Sequence, residues 1–267
     1  MKNLIVNIYK TLFFFDFAIV AAYIVPKIKT SSAALNALFA EGVSFAAAAL
    51  FTFIFVRLVE RGRLRVFNTK NKMRHYSLGL LAGVVPAAVT AVPLFLFKLL
   101  SFNGVNIGKP SEILMWIAAV FFNAAATELL LHGYLFKLYR KYYSLPVVTA
   151  VITVLYISMN IYIFSDGVIY TLNLLLFNVM LCLLSEYTRS FLAPLTARFF
   201  YNAVSSLLLG SLKIAKDYPP VINALYSDNK LFSGGDMKLE GSIIMLAANI
   251  LLCVFFIRKL NTKKKKY

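Results

Sequence analysis

Apolar runs close to twenty residues long recur from one end of this chain to the other, separated mostly by short polar connections. A helix needs about 20 apolar residues to cross a hydrocarbon core about 30 Å thick. Eight such spans fit the pattern, at 4–25, 33–56, 77–100, 112–136, 145–164, 168–186, 190–212 and 241–257. A transmembrane barrel would instead show alternating segments of about ten residues, and the chain has none. The expectation is an all-α polytopic membrane protein of about eight transmembrane helices, forming a single integral membrane domain over 1–267. The first run is interrupted by Asp16 and followed by no small-x-small cleavage site, so it reads as a retained span.

Composition agrees with this pattern. Of the 267 residues 60% are hydrophobic and 15% charged, against about 45–50% and about 25% in soluble domains. The formal charge of +17 would suggest nucleic acid in a soluble protein. Here the cations gather at the ends of apolar runs, which points to membrane topology and anionic lipid instead. No nucleic-acid partner is expected. Cys182 and Cys253 both lie in apolar spans, which argues against a disulfide framework or a thiolate metal site.

Two connections are long. Residues 57–75 hold seven Lys or Arg against Glu60, and 211–240 mix four lysines with Asp217, Asp228, Asp236 and Glu240. Basic loops stay on the cytoplasmic side. Placing 57–75 there, and alternating, puts most of the 28 basic residues and both termini in the cytoplasm.

Ionisable groups inside spans are costly and are functional candidates. They are Lys10, Asp16, Glu41, Glu128, His132 and Arg198, joined by Asn123, Asn160, Asn173, Asn178 and Asn202. Glu128 and His132, four apart, share one helix face. At a rise of 1.5 Å per residue, Glu128, Arg198, Asn202 and Asn160 fall about 12 to 22 Å from the cytoplasmic side. They are expected to meet in a cavity opening toward the cytoplasm. Asn173 and Asn178 read as ordinary interhelical bonds, and Lys10, Asp16 and Glu41 as structural or interfacial groups.

In order and spacing the polar positions resemble the CAAX prenyl protease and bacteriocin-processing family (CPBP or Abi intramembrane proteases), over about 112–210. TELLLHGYLF (127–136) is similar to the family's Glu-Glu-x-x-x-Arg-Gly-x-Leu-Phe stretch. YISMN (156–160) stands where Phe-x-x-x-His belongs, and RFFYN (198–202), after SFLAPLTA, where His-x-x-x-Asn belongs. The resemblance implies a prokaryotic cell membrane and motif-equivalent catalytic positions at Glu128, His132, Asn160, Arg198 and Asn202. Thr127 stands at the first glutamate, which is thought to activate water in the family. His132 replaces the motif arginine, Asn160 the second-motif histidine and Arg198 the third-motif histidine.

These substitutions matter chemically. Threonine is no general base near neutral pH, and hydrolysis needs a base and an oxyanion stabiliser. Glu128 and His132 supply at most two metal ligands where zinc usually takes three from the protein, so no metal and no cofactor is expected. The reading is a family member that has lost catalysis and binds a membrane partner, or a hydrophobic or prenylated peptide, in the old substrate cavity. Two alternatives stand beside it: a divergent active endopeptidase using Glu128 as base, and a subunit of a transport complex. Against the latter, the two halves show no repeat symmetry.

Overall fold

The structure is a computed structural model that describes residues 5–15, 30–62, 64, 66, 71–106, 108–212 and 220–264. Asp16 and the rest of the first expected span lie outside the described residues, as does part of the basic loop 57–75. Among the described residues the chain is almost wholly helical: α1 (Ile5–Phe15), α2 (Ala33–Ile54), α3 (Lys72–Leu96), α4 (Pro110–Glu128), α5 (Phe136–Arg140), α6 (Leu145–Met159), α7 (Val168–Thr188), α8 (Leu192–Asn202) and α9 (Ile243–Lys264). Five helical stretches are long and apolar enough to cross a membrane: Ala33–Val59, Lys72–Leu96, Pro110–Arg140, Val168–Thr188 and Gly235–Lys263. This is the architecture of an all-α integral membrane protein.

Local chemistry sets several boundaries. Pro110 begins α4, where its missing N–H costs no helical bond. Ser32 caps α2 by accepting from the Leu35 amide. Asn160 ends α6: its backbone leaves the helical region at φ −133°, and its side-chain amide donates to the Tyr156 carbonyl at 2.9 Å. The expected span 145–164 is therefore shorter than its apolar run, and a 3₁₀ turn, Ile161–Asp166, follows.

Three π-helical segments extend α-helices, at Phe55–Val59, Leu129–Leu135 and Ala203–Leu208. The second makes α4 and α5 one continuous helix, and the third adjoins Asn202. Such turns are frequent at functional sites. A small strand pair that no periodicity announced lies outside the helices. β1 (Leu100–Val105) runs antiparallel to β2 (Ile222–Tyr226), with Leu100 opposite Tyr226 and Val105 opposite Ile222.

Helix α2 packs along α4, with Phe45 stacked on Phe122 at 5.5 Å. Helix α3 lies against α8 through Gly79 and Gly83. A Cβ at Gly83 would stand 3.0 Å from the Tyr201 amide nitrogen, and one at Gly79 would stand 2.7 Å from Thr196 Cβ. Small residues four apart bring membrane helices into this kind of contact.

Helix α7 joins α9 through a polar node. Asn173 donates to the carbonyls of Glu240 and Ser242 at 2.8 and 3.1 Å, and Asn249 donates to Asn173 Oδ1 at 3.1 Å. The expected interhelical role of Asn173 is what the structure shows. Lys10 pairs with Glu60 at 2.6 Å, tying α1 to the end of α2.

Candidate functional site

Glu128 closes α4 and His132 lies one turn on, inside the π segment. His132 Nδ1 meets Glu128 Oε2 at 2.6 Å, while His132 Nε2 contacts Cys182 Sγ on α7 at 3.3 Å. Arg198 comes across from α8 and donates its Nε–H to Glu128 Oε1. Glu128 is 0% exposed, His132 1% and Arg198 5%. A carboxylate, a guanidinium and an imidazole thus share one buried cluster, and each carboxylate oxygen has a named partner.

Arg198 is further supported by neutral groups. Its guanidinium carbon lies 4.9 Å from the centroid of the Tyr156 ring and 6.0 Å from that of Phe177. Its Nη2 donates to Asn178 Oδ1 at 3.4 Å, and Asn178 in turn donates to Thr153 Oγ1 at 3.2 Å. A cation over aromatic faces in a desolvated site gains about 2 kcal/mol per good contact. Asn178, read from sequence as an ordinary interhelical bond, belongs to this cluster as well.

A cavity of about 400 Å³ adjoins the cluster. Thr127, Asn160, Arg198 and Asn202 line it; Glu128 and His132 do not. The six motif positions therefore divide into four on the cavity and two sealed behind Arg198. Glu41 and Asn123 also line the cavity, bonded to each other at 3.1 Å through Asn123 Nδ2 and Glu41 Oε2. Sequence reasoning left Glu41 among the structural groups. Its signal was available, because an acidic residue in the middle of an apolar helix is unusual at any depth.

The cavity lining runs up α8 from Arg198 to Asn202 and on to Leu212, and includes Asn160 at the end of α6 and Tyr170 at the start of α7.

The donor set is also informative. Among the described residues no group of three or more His, Cys, Asp or Glu side chains is arranged to hold a metal ion. Both ring nitrogens of His132 are already engaged, one by Glu128 and one by Cys182, so the pair offers no imidazole lone pair to a metal from the cavity.

Residues 109–204 match the family model described as type II CAAX prenyl endopeptidase Rce1-like. The match spans α4 to α8 and includes all six motif-equivalent positions. Over those residues the chain is similar to that family, and its five long apolar helices are those of an integral membrane protein. No curated protein and no solved structure matches it.

Proposed function

We propose that this protein is a non-catalytic relative of the CAAX proteases that holds a hydrophobic or prenylated peptide, or a segment of a membrane partner, in the cavity at Arg198. The observation that carries the reading is the occupancy of Glu128. Arg198 takes one of its oxygens and His132 the other, and the carboxyl lies off the cavity lining. A general base must reach the water it activates, directly or through one water. Thr127, which does line the cavity, has no basic group at neutral pH. Aromatic and aliphatic walls from Tyr156, Phe177, Leu174 and Met159, with amides at Asn123 and Asn202, suit an apolar chain carrying a few hydrogen-bonding groups. The proposed setting is a prokaryotic cell membrane with both termini cytoplasmic.

The test uses the full chain in liposomes with a prenylated CAAX peptide and a mixed peptide library, beside Glu128→Gln. The expected result is no cleavage by either protein, with peptide retention that Asn202→Trp reduces by filling the cavity. Cleavage by the parent protein that disappears in Glu128→Gln would overturn the reading in favour of a divergent endopeptidase. Cleavage-free protein that retains no peptide would leave the cavity without its proposed occupant and also count against it.

A further inference from the structure

At the other end of the bundle, where α3 begins and α7 and α9 end, a second concavity of about 430 Å³ is lined by Arg74, His75, Tyr187, Arg189, Lys259 and Lys263, together with apolar and small polar neighbours. Four of these side chains are cations, and no carboxylate is among the described residues that line the pocket. Two of the cations are positioned by a neutral group. Arg74 Nη2 donates to Tyr187 Oη at 3.1 Å, and Lys263 Nζ donates to the Tyr187 carbonyl at 3.1 Å. Their charged ends stand 5.9 and 5.4 Å from the Tyr187 ring centroid. One tyrosine thus gathers two positive charges, and the fold tolerates their mutual repulsion.

His75 is the second, independent observation. It is 8% exposed and lines the pocket, and its Nδ1 is buried without a hydrogen-bond partner among the described residues. A buried polar atom left unpaired is costly, and such an atom in a native fold calls for a missing partner. Helix α3 starts at Lys72, so its first amides and the positive end of its dipole lie at the same place. The C-terminal ends of α7 and α9 bring carbonyls there too, and Lys263 answers one of them. The pocket lies just beyond the ends of the apolar runs 77–100, 168–186 and 241–257, where juxtamembrane cations attract anionic lipid headgroups.

We propose that this pocket binds a phosphoryl anion, either the headgroup phosphate of an anionic lipid or a soluble phosphate. The surrounding cations would hold the oxygens and the unpaired nitrogen of His75 would donate a hydrogen bond to them. This inference does not depend on the function proposed for the cavity.

The test is made on the full-length protein in neutral detergent, by thermal unfolding and native mass spectrometry. Inorganic phosphate is titrated at constant ionic strength, and phosphatidylglycerol is titrated separately against phosphatidylcholine. Saturable binding of phosphatidylglycerol is expected, with no comparable binding of phosphatidylcholine. Lys259→Glu should weaken it about tenfold or more, equivalent to about 1.4 kcal/mol. His75→Phe should weaken it as well, and serves as the second variant. Arg258→Glu makes the same charge change one residue away, outside the pocket lining, and should bind as the parent does. Phosphate that binds and competes with the lipid supports a site for the bare anion, whereas lipid binding that phosphate does not disturb supports a headgroup site. Equal weakening by Lys259→Glu and Arg258→Glu would mean diffuse attraction and overturn the proposal. So would the absence of saturable binding by either probe.

Discussion

Arg198 and Glu128 stand seventy positions apart in sequence and share a hydrogen-bonded ion pair in which neither residue is more than 5% exposed. The pair joins the end of α4 to the middle of α8. Removing one partner of a buried pair strands the other charge, which costs about 3–5 kcal/mol, whereas replacing both with apolar groups of similar size is often near neutral. Glu128→Ala alone should therefore lower thermal stability in detergent more than Glu128→Leu combined with Arg198→Met. Losses in the double variant equal to the sum of the two single losses would show that the pair is not coupled.

Much of the helical framework was legible in the sequence because apolar run length is a local property. The altered motif was legible too, since Glu128, His132, Arg198 and Asn202 are polar residues in oily surroundings at fixed spacing. What the sequence did not disclose depends on partners distant in the chain. The β1–β2 pair needs Leu100 to meet Tyr226, and neither segment alternates strongly enough to announce it. The π turn at Leu129–Leu135 is a helix under tertiary constraint. The role of Glu41 appears only once Asn123 on α4 lies beside it. Likewise, the sealing of Glu128 off the cavity follows from where Arg198 arrives, which spacing along one helix cannot say.

That sealing has a direct chemical readout. With Cys182 and Cys253 changed to alanine, a cysteine at Thr127 or Asn202 should react with a small water-soluble maleimide, because both positions line the cavity. Ala125→Cys, on the same helix but 2% exposed and off the cavity, should stay unlabelled until the protein is unfolded. The unmodified protein should label slowly, since Cys182 and Cys253 are both buried. Equal labelling at 125 and 127 would contradict the division of the motif positions.

The α3–α8 contact predicts a sharp size limit. A methyl group at Gly83 would press on the Ala197 carbonyl and the Tyr201 amide, which are backbone atoms that cannot swing aside. Gly83→Ala should therefore cost on the order of 1–3 kcal/mol, the usual range for overpacking. Gly108→Ala has nothing within 4 Å of the added carbon and should leave the melting temperature unchanged. Because α8 carries Arg198 and Asn202, Gly83→Ala should also reduce whatever peptide retention the cavity supports.

His132 separates a structural role for the cluster from a catalytic one. Its ring links Glu128 Oε2 to Cys182 Sγ within a fully buried stretch. Phenylalanine fills a similar space but leaves that carboxylate oxygen without a donor, and a hydrogen bond to a charged group is worth about 1.5–3 kcal/mol. Glutamine keeps an N–H that can reach the carboxylate from the same helix face. The expected order of thermal stability is therefore parent, then His132→Gln, then His132→Phe, measured by unfolding in detergent. If Phe matched the parent, the imidazole would not be holding the carboxylate, and Glu128 would have one oxygen available for chemistry after all.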